Sequence, residues 1–283
     1  MTGRIFSIEE FATFDGPGIR MTVFFKGCPL RCSWCHNPES QQMGVEYVRS
    51  PNGCLGCGRC LQAAKTAEDG TKHLTAASVE ACPRFLVRRC GEDYSTDALC
   101  DRILANASIL TSTGGGVTFS GGEPLLQAAF LFSCLEVLRG RVHTAIQTCG
   151  YADAETFAGV LERCDYVLYD LKLMSPDQHR EFCHADNAKI LQNYRTLAAS
   201  GKPFVTRVPL IPGVTDTVEN LTAMAAFVRE QGVDYVELLP YNRMAGSKYA
   251  GLLRPFAPGF DENRPVELHT GIFEKYGIRA KKM

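Results

Sequence analysis

The chain has 283 residues, 45 % of them hydrophobic, enough for one full globular core or one core with an insert. A formal net charge of −1, a sequence pI of about 6.6 and no Lys/Arg stripe exclude a nucleic-acid or acidic-membrane footprint. No apolar run reaches the roughly 18–20 residues of a membrane span, and MTGRIFSIEEFATFDG lacks the basic-then-apolar layout of a signal peptide, so the expected location is the cytoplasm.

The first clear element is RMTVFFKG from Arg20, a predicted strand that runs directly into the loop GCPLRCSWCHNPES, Gly27 to Ser40. From Pro51 to Arg89 the texture changes to close cysteines, glycine and little periodicity. This predicts an insert, 51–89, dividing a main domain of residues 1–50 and 90–283. Helix and strand signals then alternate. Helices are expected at Thr96–Leu110, Leu125–Arg139, Asp153–Cys164, Asn187–Ser200, Thr217–Gln231 and Arg264–Tyr276. Strands are expected at Gly116–Ser120, Val142–Thr148, Asp165–Lys172, Pro203–Ile211 and Asp234–Pro240. The KKM tail after Arg279 reads as a solvated end.

These strands are short, apolar and separated by helices, the signature of βα units on a parallel sheet buried on both faces. With the strand at Arg20 they make six units, too few for a closed eight-stranded barrel. The fold class is α/β, as a partial (β/α)6 TIM-like barrel or an open doubly wound sheet. Either way chemistry belongs at the carboxyl ends of the strands. The cysteine loop, GGEP, QTCG, DLK, RVPLIPG and LLPYN all stand there.

Thirteen cysteines, an odd number without a signal peptide, argue for metal or catalysis over a disulfide framework. Seven lie between Cys28 and Cys82. Cys90, Cys100, Cys134, Cys149, Cys164 and Cys183 are scattered and read as small buried hydrophobes. Cys28, Cys32 and Cys35 form C-x3-C-x2-C just past a strand. A fully ligated iron–sulfur cube takes four thiolates. Three leave one iron open, and an open position on a metal is where substrate or cofactor binds. His36 is a rival fourth ligand that would make a structural zinc site instead.

The C-x3-C-x-aromatic-C run followed by HNPES and preceded by DGPGIR resembles the radical S-adenosylmethionine (SAM) superfamily. Within it the chain resembles activating enzymes of glycyl radical enzymes, of the pyruvate formate-lyase activase type. SGGEP at Ser120–Pro124, DLK at Asp170–Lys172, RVPLIPGVTD at Arg207–Asp216 and LLPY at Leu238–Tyr241 extend the resemblance over almost the whole chain. It implies a radical SAM partial barrel. It also implies a 4Fe–4S cluster on Cys28, Cys32 and Cys35 that cleaves SAM reductively, so that the 5′-deoxyadenosyl radical abstracts hydrogen from a backbone glycine of a partner glycyl radical enzyme. A flavodoxin or ferredoxin reductant is implied too.

Residue by residue, the resemblance assigns SAM contacts to Trp34 beside the adenine, to Gly121 and Gly122, and to Glu123 at the ammonium. Thr148, Asp170 and Lys172 fall under the SAM carboxylate, Arg207 pairs with it, and Asn242 sits at the adenine edge. A monovalent cation accompanies this floor in the pyruvate formate-lyase type. Gln147 here replaces an acidic residue of that pattern, which leaves Asp170 as the sole evident anion and Lys172 as an alternative positive charge. Asp15 in DGPGIR faces the substrate glycine, or forms a simple Asx-turn before Gly16–Pro17.

In the insert, Cys54, Cys57 and Cys60 form C-x2-C-x2-C, and Cys82 precedes Pro83. The pattern resembles half of a bacterial ferredoxin and implies a second, fully ligated 4Fe–4S cluster. Structural zinc on the same four thiolates is the alternative, and Cys90 is a rival for Cys82. Two further readings stand beside the activase: a radical SAM enzyme acting on a small molecule, and an iron–sulfur electron carrier.

Overall fold

A computed structural model describes residues 1–283. Thirteen strands form: β1 (Thr2–Ala12), β2 (Arg20–Phe25), β3 (Glu46–Arg49), β4 (Lys65–Thr66), β5 (Lys72–His73), β6 (Val87–Cys90), β7 (Glu92–Ser95), β8 (Gly116–Gly121), β9 (His143–Thr148), β10 (Tyr166–Asp170), β11 (Phe204–Leu210), β12 (Tyr235–Pro240) and β13 (Arg279–Lys282). Nine make one sheet, ordered β13-β12-β11-β10-β9-β8-β2-β1-β7. From β2 to β13 the strands stand in chain order and every pair is parallel. Each crossover therefore moves one strand in the same direction, the progression of a βα barrel; a doubly wound sheet reverses direction at a switch point. The barrel is open, because β1 and β7 cap one side antiparallel and β13 ends the other.

Side-chain alternation assigns the two faces. Val23, Phe25, Val117, Phe119, Ile146, Val167, Tyr169, Val208, Leu210, Val236 and Leu238 belong to a 41-residue core against the outer helices. Burying each such side chain fully is worth roughly 1.5–3 kcal/mol. The intervening residues, among them Thr22, Thr118, Ala145, Leu168, Val205, Arg207 and Glu237, line the concave face, where a small apolar cluster of Ala145, Leu168 and Val205 sits among polar groups. The loop from Thr13 to Ile19 folds into that concavity. Thr118 Oγ1 donates to the Asp15 carbonyl at 2.6 Å, Arg20 Nη1 to the Pro17 carbonyl at 3.0 Å, and Arg207 Nη2 to the Phe14 carbonyl.

Three expectations change. The helix expected over Thr96–Leu110 breaks into Thr96–Leu104 and Ala107–Ser112, with Asn106 between them donating its side-chain amide back to the Arg102 carbonyl at 3.3 Å. Only Thr270–Lys275 of the expected last helix is helical, and the tail after it is the edge strand β13, parallel to β12. Helices at Pro176–Cys183 and Ala245–Gly251 add to the expected set.

The cysteine-rich segment stands on its own pair of strands, β3 against β6. It has a small hairpin, β4–β5, and a four-residue core of Cys60, Leu74, Cys82 and Val87. Its stem is fixed to the barrel by buried charge. Lys26, at the end of β2, reaches Glu46 at 2.8 Å, and Arg254 meets the other Glu46 oxygen.

Candidate active site

At the carboxyl ends of the parallel strands lies a cleft of about 1220 Å³ including its open mouth. Its walls carry Cys28, Cys32, Trp34, Cys35 and His36 from the first loop, and Gly121 and Gly122 after β8. Gln147, Thr148 and Cys149 come from β9, Asp170 and Lys172 from β10, and Tyr241 and Asn242 from beyond β12. Of the residues expected at the site, Glu123, Arg207 and Asp15 lie outside this lining.

Backbone bonds hold the cysteine loop. Gly27 N donates to the Ser40 carbonyl at 2.6 Å and Cys28 N to the Gln41 carbonyl at 3.3 Å, while Arg31 N and Ser33 N donate to the carbonyls of Cys183 and Phe182 at 3.0 and 2.9 Å. The C-terminus of helix Pro176–Cys183 thus holds the middle of the loop, with its unpaired carbonyls as acceptors. The thiols are free. Burial pushes the Cys35 thiol up to about 11 and Cys28 higher, while the neighbouring Cys183 thiol and then burial raise Cys32. Ligation requires thiolate, so loading this site releases protons. Neither cysteine set converges on the single point that one bound ion needs; each instead rims a cavity.

The fit to a cluster with an attached charged ligand rests on the floor. Asp170 Oδ1 is buried with no hydrogen-bond partner, an orphan acceptor of a kind that native structures rarely leave. Its other oxygen meets Lys172 Nζ at 3.4 Å. Burial alone would lower Lys172, but Asp170 and the surrounding thiols outweigh it and hold the ammonium above its ordinary value. Gln147 is occupied, its Oε1 accepting from Ser120 Oγ at 3.1 Å. Three thiols in one cleft with an unmatched carboxylate oxygen and an ammonium suit a three-thiolate cluster and a zwitterionic ligand.

Several residues sit differently from expectation. Glu123 turns beneath the floor: Oε1 accepts from Thr148 Oγ1 at 2.7 Å and Leu125 N at 3.2 Å, and Oε2 from Cys149 N at 2.9 Å and Sγ at 3.1 Å. With every lone-pair direction engaged and the side chain buried, it shapes the floor and does not face the cleft. Thr148 is also engaged, accepting from Gly150 N at 2.8 Å. Gly121 and Gly122 lack a Cβ for a local reason. A Cβ on Gly121, at φ +115°, would lie 2.3 Å from Phe25 N, and one on Gly122 would lie 2.2 Å from the Gly27 carbonyl. The glycines let the end of β8 press against the start of the cysteine loop.

Trp34, expected beside the adenine, is largely a core residue. It is 5 % exposed, in a satellite core with Leu173, Cys183, Ile211 and Val214, and only part of it forms cleft wall. His36 lies against Tyr241, ring centroids 5.3 Å apart. Asn242 is at the exposed mouth with Oδ1 accepting from Met244 N at 3.0 Å. Arg207 is committed to Glu237 at 3.0 Å and to the Phe14 carbonyl, with Asp15 4.0 Å away, so it braces the Thr13–Ile19 loop. Asp15 makes no Asx-turn; its Oδ2 accepts from Thr22 Oγ1 at 2.7 Å. Cys149, read from sequence as a plain hydrophobe, lines the cleft and donates to Glu123; the QTCG string carries no signal for that contact.

The insert holds a second cavity, about 460 Å³, rimmed by Cys54, Cys57, Cys60 and Cys82 together with Arg49, Leu55, Arg84 and Leu86. Leu86 N donates to Cys82 Sγ at 3.3 Å, and the amides of Leu86 and then Arg84 hold this thiol below its usual range. Cys90 is fully buried and outside the cavity, bridged across β6–β3 to Glu46.

The sequence model of the Radical SAM superfamily matches residues 22–225. Similar proteins include the isethionate sulfite-lyase activating enzyme of Nitratidesulfovibrio vulgaris, 40 % identical over 267 residues, 88 % of this chain and 87 % of that one. The pyruvate formate-lyase 2-activating enzyme of Escherichia coli is 37 % identical over 247 residues, 87 % of this chain and 80 % of that one. Among solved structures, a radical SAM methyltransferase from Sphaerobacter thermophilus matches 98 % of this chain and 76 % of its own at TM-score 0.54 and 14 % identity, a likeness of fold.

Proposed function

The chain belongs to the radical SAM superfamily and, within it, to the activating enzymes of glycyl radical enzymes, and on that premise we propose the following roles for its residues. Cys28, Cys32 and Cys35 hold the 4Fe–4S cluster. The chemistry supplied when cluster and SAM are bound is one-electron reduction of the sulfonium, which yields methionine and the 5′-deoxyadenosyl radical that takes hydrogen from the partner's glycine. Asp170 offers its unmatched oxygen to the SAM ammonium, and Lys172 offers its charge to the carboxylate by a charge-assisted bond. Lys172 also balances Asp170, so the floor needs no monovalent cation. Trp34 gives the adenine a rigid wall. Glu123 and Thr148 are positioning residues that set the height of the floor. Arg207 and Glu237 hold the loop bearing Asp15 against the concave face, where an incoming glycine backbone would pass.

The observation that carries this reading is the common cleft at the strand ends: three thiols of the first loop and the Asp170–Lys172 pair share one lining. The substrate is stated as a class, the glycine loop of a glycyl radical enzyme. Isethionate sulfite-lyase and pyruvate formate-lyase are the first partners to assay, because similar proteins carry those names. We read residues 51–89 as a ferredoxin-like unit with a second 4Fe–4S cluster on Cys54, Cys57, Cys60 and Cys82, supported by their shared cavity and the amides around Cys82. The external electron then comes from flavodoxin or ferredoxin, and the protein works in the cytoplasm; no helix is long and apolar enough to cross a membrane.

Electron paramagnetic resonance on an anaerobic mixture of reconstituted protein, reductant, SAM and partner tests the reading. A glycine-centred doublet that Cys32→Ala abolishes is expected. Deoxyadenosine without a doublet would reject that partner and keep the SAM chemistry. Neither product, from protein with intact clusters, would overturn the assignment.

A further inference from the structure

We propose that the exposed mouth of the insert cavity, with Arg84 and Leu55 in its wall and Phe85 next to them in the chain, is the docking surface for an acidic one-electron carrier protein. The inference rests on the reading that the insert holds a redox cluster, and it names where and by what chemistry that cluster is reached.

Charge is the first argument. Residues 51–89 contain six Lys/Arg against three Asp/Glu, a formal +3 in a chain whose total is −1. Arg49, Arg59 and Arg84 form no ion pair, whereas Arg88 and Arg89 line a separate cavity with Glu92. The cavity that gathers the four cysteines is lined by Arg49 and Arg84 and by no carboxylate. Glu46, the acid nearest the stem, is already neutralised by Lys26 and Arg254. No carboxylate of this molecule stands in the cavity wall beside Arg49 and Arg84, and an acidic surface is their complement.

Apolar exposure is the second. Phe85 is 84 % exposed and Leu55 63 % exposed, each beside a residue of the cysteine set in sequence or one turn from it. Phe85 sits at φ +52°, a left-handed backbone region uncommon for an aromatic residue. It is held there by its N–H donating to the Cys82 carbonyl at 3.1 Å, in the same turn that directs Leu86 N at the Cys82 thiol. The ring contributes no burial to the fold, yet the geometry that would grip a cluster also presents it to solvent. Cys54 and Cys57 are exposed as well, so the cavity opens on this face. Exposed apolar side chains beside an exposed arginine suit brief electron-transfer encounters, which bury little area and dissociate quickly. The step is balanced: the reduced carrier loses one electron and the insert cluster gains it.

The experiment uses the full reconstituted chain, anaerobic, with flavodoxin as the acidic carrier. It measures the second-order rate of cluster reduction by stopped flow, divided by the rate with dithionite, which needs no docking. It also measures the Kd for oxidised flavodoxin, and both are taken at low and high salt. Arg84→Glu is expected to lower the carrier-driven ratio about tenfold at low ionic strength, with the gap closing at about 0.5 M salt as the charges are screened. Phe85→Ala is expected to weaken binding several-fold at both salt levels. Unchanged rate and Kd in both variants would overturn the proposal, as would protection from hydrogen exchange by flavodoxin on another face. Iron analysis of Cys57→Ala separates the premises: if it loses no iron while the two surface variants still weaken binding, docking stands and the second cluster falls.

Discussion

Replacing Glu123 by Gln removes one charge and one acceptor while keeping the shape. Both carboxylate oxygens accept a backbone N–H that cannot turn away, from Leu125 at 3.2 Å and from Cys149 at 2.9 Å. Whichever way the amide is flipped, its NH2 faces one of them. One buried donor is left without a partner, a cost of about 1–3 kcal/mol. At roughly 2–4 °C per kcal/mol for a chain of this size, Tm should fall by about 2–12 °C. Glu123→Ala strands both amides and the Thr148 hydroxyl, so its loss should be about twice as large. The pH dependence adds a second reading. Burial raises the Glu123 carboxyl above its ordinary 4.5, outweighing the bonds from Thr148 and Cys149 that lower it. Between the unfolded and folded values the native state binds more protons, so this group's contribution is greatest at low pH and declines as pH rises through that window. The Gln variant should lose that slope. Thermal unfolding of anaerobic protein across pH is the assay. A Gln variant as stable as wild type, or an Ala variant no worse than Gln, would refute the floor-shaping role.

Arg207→Lys should leave the KM for SAM within about twofold, yet lower the yield of glycyl radical per deoxyadenosine about tenfold, because a lysine cannot hold Glu237 and the Phe14 carbonyl together. A raised KM for SAM with unchanged coupling would return Arg207 to the carboxylate. Asp170→Asn should raise the KM for SAM about tenfold, roughly 1.4 kcal/mol of binding, measured by initial deoxyadenosine rates, and an unchanged KM would remove Asp170 from the ligand. Trp34→Ala, at a 5 % exposed core position, should destabilise the protein by about 3–5 kcal/mol in denaturant titration, whereas a loss below about 1 kcal/mol would mean that the ring serves only the ligand. Chelation of iron should leave the barrel's far-ultraviolet circular dichroism intact, since none of the seven clustered cysteines belongs to its 41-residue core and only Cys28 and Cys32 pack against the edge of it. Unfolding of the whole chain on chelation would contradict that separation.

Much of the architecture was legible because strand and helix periods are written in side-chain spacing. The six expected parallel strands are all present, and their order follows from consecutive units lying side by side. β1 and β7 were not legible. Their residues alternate poorly, and their pairing depends on bringing Thr2 and Ser95 together across the insert. The helix at Pro176–Cys183 was readable, since Ser175 caps it and Pro176 opens it, but only eight residues follow. Of the site, the residue types and their loops could be read. Directions could not: Glu123 turned to Thr148 and Cys149, Arg207 turned to the Asp15 loop, and Cys149 in the cleft lining with its Sγ on Glu123 are set by partners from 25 to 193 residues apart, which leave no local pattern.

The central claim is that this cleft moves one hydrogen atom from a partner's backbone glycine to SAM-derived deoxyadenosine. The most direct measurement supplies the partner with α-deuterated glycine and takes the mass of the deoxyadenosine released on activation. Deoxyadenosine one deuterium heavier, appearing together with the glycyl radical, is the result the account predicts. Unlabelled deoxyadenosine from an activated, labelled partner would contradict it.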